Sequence, residues 1–199
     1  MGDFDWIDER DAVAQGIGRP FEVVFVCTGN RFRSALAEGV FRNAAGDNGL
    51  AVQSYGTLRL DSMPPLPEAV ELARAHGVDL SAHRCRSLAG QDLRDADLVV
   101  GFELVHAATA VLDAHAARDR TFLLAELVAY LEQIASTADG TAEGARRVVE
   151  AAAALRRKQP NLAVEQIDDP LGQSSKAQAL IADDVAALTS RLAVRLFGA

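Results

Sequence analysis

An apolar run that stops at a cysteine and turns into a tight loop constrains this chain more than any other feature. The run spans 21–26, and its β-branched and aromatic residues are typical of a buried parallel strand. Cys27 follows, and Gly29 and Asn30 lie in the next positions. Apolar residues return at helical spacing between 36 and 41. The segment therefore predicts a strand, a tight loop and a helix in direct succession.

Strand-like and helix-like segments alternate along the rest of the chain. Further strands are predicted at 51–55, 96–102 and 121–124, and helices at 67–76, 103–115, 125–135, 141–158 and 175–197. Such alternation is typical of a parallel sheet that helices cover on both faces. The predicted fold is α/β: a three-layer α/β/α arrangement of Rossmann-like type, with a central four-stranded parallel sheet.

The length and charge of the chain restrict its organisation and partners. Its 199 residues fit one domain, predicted at 21–199 after a polar N-terminal extension at 1–20. The formal net charge is −8. An acidic surface disfavours nucleic acid as a partner, because phosphate backbones attract basic surfaces.

The sequence also predicts a cytoplasmic protein without a membrane partner. No stretch approaches the roughly 18 consecutive apolar residues of a membrane span. The N-terminus is acidic, unlike the basic start of a signal peptide. Cys27 and Cys85 are the two cysteines, and we expect both to be free thiols. No cysteine–histidine cluster has zinc spacing, so no metal is expected.

The loop after the first strand has the composition of an anion site. Ligands of open α/β sheets bind beyond the carboxyl ends of the strands, where Cys27 lies. Gly29 adopts positive φ freely, and Asn30 tolerates it better than most residues. The following helix is predicted to begin near Ser34, so its N-terminal N–H groups face the same concavity. The loop therefore predicts a phosphate-binding site.

Arg33 adds a charge clamp to this loop. It lies six residues after Cys27, and its planar guanidinium can hold two phosphate oxygens at once. The same positive surroundings should favour the thiolate form of Cys27, to which Ser34 can donate a hydrogen bond. One segment thus supplies a nucleophile, an oxyanion cradle and a cation.

The pattern Cys-x5-Arg-Ser after an apolar strand resembles the low-molecular-weight protein tyrosine phosphatase family. The resemblance covers roughly 21–125 and 166–197. Several separate segments carry it in the right order: Ser54-Tyr55-Gly56-Thr57, the stretch 77–86, the stretch 95–100 and Asp169-Pro170.

The resemblance implies a two-step hydrolysis of phosphate monoesters that needs no metal or cofactor. Cys27 forms a cysteinyl-phosphate, Arg33 clamps the phosphate and Asp169 acts as general acid. Asp168 is an adjacent competitor for the acid role. The implied phosphate-binding residues are Thr28, Gly29, Asn30, Arg31, Phe32, Arg33 and Ser34. The residues implied to brace the loop by hydrogen bonds are Asn30, Ser34, Ser54 and His83.

The sequence departs from the family pattern at positions that concern the substrate. Phe32 stands where a second cysteine is common. Arg31 stands where an apolar or small residue is usual, and a second cation there should favour a more acidic ligand. Leu171 and Gly172 follow the acid-loop proline, where many eukaryotic members have two tyrosines that pack against phosphotyrosine.

Several functions therefore stay open beside the leading one, a phosphatase for protein phosphotyrosine. Another phosphoresidue such as phosphoarginine is possible, as is a small phosphate monoester. Arsenate reductase shares this fold, but it relays a disulfide through further cysteines, which are absent after the third strand. A catalytically weak phosphate-binding regulatory module would not require Cys27, Arg33 and Asp169 together.

The remaining features yield weaker expectations. Cys85 is interpreted as an inert buried thiol. His76, His106 and His115 are interpreted as ordinary helix positions. The stretch 126–165 is longer than the usual link to the acid loop and is predicted to be a helical insertion. We expect a monomer or a weak dimer.

Overall fold

The computed structural model describes residues 18–46, 49–135, 138–160 and 166–198. Most of the predicted extension at 1–20, namely 1–17, lies outside the described residues, as do 136–137 and 161–165 of the predicted insertion. Both the extension and the insertion stay predictions.

The described residues form strands and helices in regular alternation. The strands are β1 (Phe21–Cys27), β2 (Leu50–Gly56), β3 (Leu98–Gly101) and β4 (Thr121–Leu123). The α-helices are α1 (Arg33–Ala45), α2 (Pro67–Ala75), α3 (Leu104–Asp113), α4 (Leu124–Glu132), α5 (Ala142–Lys158) and α6 (Ser175–Phe197), with a 3₁₀ turn at Arg118–Arg120.

The four strands form one parallel sheet in the order β2-β1-β3-β4. The register pairs Cys27 with Gly56 and Val26 with Gly101, so the carboxyl ends of the three strands involved meet at one edge. The predicted α/β fold with a central four-stranded parallel sheet is confirmed. The site described below lies at this edge, as the rule for open α/β sheets requires.

The two faces of the sheet are covered unequally. Phe21, Val23 and Phe25 of β1 face a large core shared with α1, α4, α5 and α6. Val24 and Val26 face a smaller one, built from α3 and the segments around it. Both faces of β1 are buried, which explains why its sequence is continuously apolar rather than alternating.

Aromatic side chains fix α1 and α6 to β1. Phe41 of α1 lies edge-on to Phe25 at a ring-centroid distance of 5.6 Å and to Phe197 at 6.2 Å. Phe197 in turn contacts Phe21 at 5.7 Å. Such edge-to-face pairs add about 0.5–1.5 kcal/mol each to the area they bury. The helix that follows the loop is therefore held firmly against the strand that precedes it.

The observed β3 is shorter than the predicted strand at 96–102, and Asp97 lies just before its first residue, where both its backbone N–H and its side chain bond to Glu22 of β1. Asp97 is buried, and its Oδ2 accepts a hydrogen bond from the backbone N–H of Glu22 at 2.9 Å. Its Oδ1 accepts from Arg146 of α5 at 3.0 Å. This cluster ties α5 to the amino edge of the sheet, opposite the loop. Within the described residues, no helix has the length and apolar character that crossing a membrane would demand.

Candidate active site

Cys27 lies at the carboxyl end of β1 with donors gathered around its sulfur. The residue is 3% exposed. Its Sγ lies 3.0 Å from Ser34 Oγ, and the backbone N–H of Asn30 points at it from 3.3 Å. A hydroxyl and a backbone N–H placed in this way can both donate hydrogen bonds to a sulfur atom.

Asn30 organises the loop from behind. Its φ is +54°, and the residue is fully buried. The side-chain amide donates to Ser34 Oγ at 2.9 Å and to Ser54 Oγ at 2.8 Å. Its Oδ1 accepts from the backbone N–H of Arg86 at 2.9 Å. One side chain thus joins the loop to α1, to β2 and to the segment before β3.

A second set of contacts reaches the carbonyl of Asn30. His83 Nε2 donates to it at 2.8 Å, and the Cys85 thiol contacts it at 3.3 Å. Burial lowers the pKa of His83 and raises the pKa of Cys85, so both groups favour their neutral forms. Neither side chain lines the pocket in front of Cys27.

Gly56, the last residue of β2, backs the same loop by close approach. A Cβ atom there would lie 2.8 Å from the backbone carbon of Gly29 and 2.9 Å from the nitrogen of Asn30. No side chain fits at those distances. Glycine is therefore required at position 56 for steric reasons, which the sequence around it did not reveal.

Arg33 is 1% exposed and is bonded on all sides. One terminal nitrogen donates to the Glu103 carboxylate and to the Ile167 carbonyl at 2.8 Å. The other donates to Asp169 Oδ2 at 2.8 Å and to Thr28 Oγ1 at 3.1 Å. The guanidinium therefore lies between two carboxylates beside the loop.

Asp169 is the acid-loop carboxylate that reaches the site. Its side chain is 41% exposed, and its Oδ1 accepts the backbone N–H of Leu171 at 3.0 Å. Asp168 is exposed, and it does not line the pocket in front of Cys27. The geometry favours Asp169 over Asp168 for the acid role.

Sequence reasoning missed Glu103 and His106, which follow β3 at the same edge. His106 does lie in a helix, but it is fully buried and its Nε2 lies 3.0 Å from Thr28 Oγ1. Burial, aided by Arg33, lowers the pKa of His106 to about 4. The position of this Glu-x-x-His segment directly after a buried strand is the signal that could have found it. His115, interpreted as a helix position, instead lies beyond α3 with a φ of +58°.

The pocket in front of Cys27 has a volume of about 90 Å³. The loop residues that line it are Cys27, Thr28, Gly29, Arg31, Phe32 and Arg33, and the opposite wall is Leu58, Leu60, Leu66, Asp169 and Leu171. Asn30 and Ser34 lie behind the loop. Within the described chain, no group of three histidine, cysteine or acidic residues is placed to hold a metal ion.

The family model described as low molecular weight phosphotyrosine protein phosphatase matches residues 22–166. The chain belongs to this family. The structure of a low molecular weight protein tyrosine phosphatase from T. tengcongensis superposes with a TM-score of 0.62 at 27% identity, covering 86% of this chain and 97% of that one. The family resemblance noted from the sequence is thereby confirmed.

Two relatives show what the family contains. The chain is 38% identical over 78 residues to EpsP of Ralstonia solanacearum, a probable low molecular weight protein-tyrosine-phosphatase, covering 39% of this chain and 52% of that one. It is 32% identical over 109 residues to a protein-arginine-phosphatase of Bacillus subtilis, covering 54% of this chain and 72% of that one. The chain thus spans about half the length of the first relative.

Proposed function

We propose that this protein is a phosphatase that hydrolyses phosphate monoesters through a cysteinyl-phosphate on Cys27. The observation that carries the proposal is that Cys27, Arg33 and Asp169 line one small pocket. Behind the loop, the Ser34 hydroxyl and the backbone N–H of Asn30 lie within hydrogen-bond distance of the sulfur. A nucleophile, a cation and an acid are the groups that transfer of a phosphoryl group to a thiolate requires.

In the proposed first step, the Cys27 thiolate attacks phosphorus and the bond from phosphorus to the leaving oxygen breaks. Protonated Asp169 gives its proton to that oxygen. The loop N–H groups and Arg33 stabilise the charge on the three remaining oxygens. To do so, Arg33 redirects toward the phosphate the nitrogen that contacts Asp169 in the free protein.

In the proposed second step, water attacks the phosphorus of the cysteinyl-phosphate. Asp169, now a carboxylate, takes a proton from the water, and the sulfur–phosphorus bond breaks. Inorganic phosphate leaves, and the Cys27 thiolate is restored. The Ser34 hydroxyl, 3.0 Å from the sulfur, stabilises the departing thiolate.

Protein phosphotyrosine is the substrate we propose first, because the family description and EpsP both bear that activity in their names. The wall of the pocket supports phosphoarginine as a second candidate, for which the bond that breaks is phosphorus–nitrogen and Asp169 gives its proton to that nitrogen. The apolar part of this wall consists of Leu58, Leu60, Leu66 and Leu171. These aliphatic side chains can pack against a flexible phosphoresidue as well as they can pack against the ring of phosphotyrosine. A relative named as a protein-arginine-phosphatase adds weight to this candidate.

Arsenate reduction is disfavoured by the thiols themselves. The chain has two cysteines, and Cys85 lies behind the loop with its thiol directed at the Asn30 carbonyl. A disulfide relay through Cys85 would have to break this contact and reach around the loop.

We also propose a cytoplasmic protein, because the free thiols Cys27 and Cys85 suit a reducing compartment.

Hydrolysis of para-nitrophenyl phosphate without added metal tests the proposal. We expect turnover by the wild type, none by Cys27→Ser, and a kcat roughly 100-fold or more lower for Asp169→Asn. Asp168→Asn is the matched control and should retain activity. Phosphate binding without turnover by the wild type would make the site an anion receptor and overturn the proposal.

Phosphopeptides that differ in one feature separate the candidate substrates. The ratio of kcat/KM for phosphotyrosine and phosphoarginine peptides of the same sequence identifies the phosphoresidue.

Arg31 lines the pocket, and its Nε donates to the Pro64 carbonyl at 2.9 Å. Acidic residues beside the phosphoresidue should therefore raise kcat/KM severalfold, and Arg31→Gln should remove that gain. Exposed Arg59, which does not line the pocket, provides the control Arg59→Gln.

A further inference from the structure

Thr28 occupies a position where a side chain can touch the bound phosphate. It follows Cys27 directly, lines the pocket and is partly exposed to it. A loop of this kind binds phosphate through backbone N–H groups, which do not depend on the side chain. The contacts of the Thr28 hydroxyl show that this side chain has a defined direction as well.

The hydroxyl oxygen of Thr28 lies within hydrogen-bond distance of two nitrogen atoms. Arg33 donates to Oγ1 at 3.1 Å, and a guanidinium has no acceptor to offer in return. His106 Nε2 lies 3.0 Å from the same oxygen. Which of these two atoms is the donor depends on which nitrogen of the imidazole carries the hydrogen.

The other nitrogen of His106 settles that question. The backbone N–H of Glu103 points at His106 Nδ1 from 3.1 Å, so Nδ1 is an acceptor without a hydrogen. Nε2 therefore carries the hydrogen of the neutral ring. The Glu103 carboxylate is 3.8 Å from Nε2, too far for a hydrogen bond, so Nε2 donates to Thr28.

The neutral form of His106 persists wherever the protein is folded near neutral pH. Its ring is fully buried, and burial together with Arg33 lowers its pKa to about 4. Protonation would replace the acceptor at Nδ1 by a donor facing the Glu103 N–H. The direction of the hydrogen bond to Thr28 is thus fixed by the bond from the Glu103 N–H, just before α3, to His106 Nδ1.

We infer that the Thr28 hydroxyl donates its hydrogen to an oxygen of the bound phosphate, and that His106 is a positioning residue that keeps it directed there. Both lone pairs of the oxygen are occupied, so the hydroxyl can act only as a donor. Among the residues that the structure describes, no acceptor takes this hydrogen, and the hydroxyl borders the pocket. The inference rests on the proposed function only in requiring that the pocket binds phosphate.

Phosphate affinity in a Cys27→Ser background tests the inference without any need for turnover. The probe is inorganic phosphate, and its dissociation constant is measured by calorimetry. A hydrogen bond to a charged group predicts about tenfold or greater weakening by Thr28→Val, with Thr28→Ser restoring most of the affinity. Thr109→Val on α3 is the control, because the Thr109 hydroxyl donates to a backbone carbonyl on the exposed side of that helix.

Two substitutions of His106 separate positioning from support of the helix. His106→Gln can still place an amide N–H near the Thr28 oxygen. His106→Asn can still accept the Glu103 N–H, but it is too short to reach Thr28. We expect His106→Asn to weaken phosphate binding severalfold and His106→Gln to weaken it less.

The double variant gives the decisive comparison. If His106 acts through Thr28, adding His106→Asn to Thr28→Val costs no further affinity. Wild-type-like affinity in Thr28→Val would overturn the inference, as would losses that multiply in the double variant. Absence of turnover by the protein that retains Cys27, with phosphate binding intact, would instead overturn the proposed function and leave this inference standing.

Discussion

The loop of Cys27 and the loop of Asp169, the proposed nucleophile and acid, meet in one pocket, but they are held in different ways. Asn30 is fully buried and bonded to side chains or backbone of three other segments. The Asp169 side chain is 41% exposed, and its contacts are Arg33 and the backbone of its own turn. Buried, fully satisfied networks resist local opening, whereas exposed loops with few contacts open at little cost.

This difference suggests a division of labour. The loop of Cys27 has its geometry built in before substrate binds, which reduces the reorganisation needed at the reacting atoms. The loop of Asp169 has to release Arg33 and admit a substrate, so a weaker hold suits its task. The predictions below test this contrast, in decreasing order of their expected effect on stability.

Asn30→Ala should produce the largest loss. It removes one hydrogen-bond partner from each of Ser34 Oγ, Ser54 Oγ and the Arg86 N–H, and it puts alanine at positive φ. We expect the free energy of unfolding to fall by about 4 kcal/mol and kcat/KM by about 100-fold or more. Urea unfolding and para-nitrophenyl phosphate hydrolysis measure the two effects.

Asn30→Gly is the matched variant, because glycine adopts positive φ freely but makes none of the side-chain bonds. It should recover about 1 kcal/mol of stability and little activity. Full recovery of activity in Asn30→Gly would mean that backbone conformation alone, and not the hydrogen-bond network, holds the loop.

His106, which contacts the Cys27 loop through Thr28, should make the stability of the protein depend on pH. Its pKa is about 4 in the folded protein, below the ordinary value of 6.5, so the unfolded chain binds a proton first as pH falls. Stability is therefore lost from about pH 6.5 downward, by about 3 kcal/mol at pH 4 from this residue. Burial of His83 acts in the same direction.

Urea unfolding at a series of pH values measures this effect. His106→Gln removes the titrating group, so the loss between pH 6.5 and pH 4 should shrink in that variant. An unchanged dependence of the free energy of unfolding on pH would show that His106 is solvated in the folded state. It would then contradict the description of the Cys27 loop and its contacts as buried and rigid.

Gln178→Met should produce a smaller loss of stability, because Gln178 supports the loop of Asp169 and not that of Cys27. The Gln178 side chain is buried on α6 and donates to the Pro170 carbonyl at 3.2 Å, next to Asp169. Losing one neutral hydrogen bond should cost about 1 kcal/mol and lower kcat severalfold. Exposed Gln173→Met is the control, and equal effects of the two would exclude a role for the contact.

Asp169→Asn should change stability least, by under about 1 kcal/mol, because the Asp169 side chain is 41% exposed, asparagine can still accept from Arg33, and Glu103 remains as the second carboxylate on Arg33. Thermal unfolding measures this, beside the large loss of kcat expected for the same variant. A stability loss as large as that of Asn30→Ala would remove the contrast between the two loops.

The sequence allowed the fold and the nucleophile loop to be predicted because their signals are local. The apolar run before Cys27, the loop residues and the start of α1 are contiguous, so their spacing alone placed them together. The start of β3 was harder to predict, because the contacts of Asp97 just before it are with Glu22, which is far away in sequence.

The rest of the candidate site depends on contacts that no local pattern reveals. Glu103 and His106 reach Arg33 and Thr28 because β3 lies beside β1, and that adjacency comes from the order of strands in the sheet. The leucine wall of the pocket likewise comes from two connections far apart in sequence: Leu58, Leu60 and Leu66 between β2 and α2, and Leu171 before α6. Such residues could be suspected from their place after a strand, but their partners could not.

The two carboxylates on Arg33 have a consequence for product inhibition. In the free protein, the guanidinium is already neutralised by Glu103 and Asp169. An arriving phosphate gains only the difference between its own bonds to Arg33 and the bond that Asp169 gives up. The same exchange runs in reverse after hydrolysis, when Asp169 competes with inorganic phosphate for the cation. In the proposed mechanism, re-formation of the bond between Asp169 and Arg33 therefore favours release of inorganic phosphate.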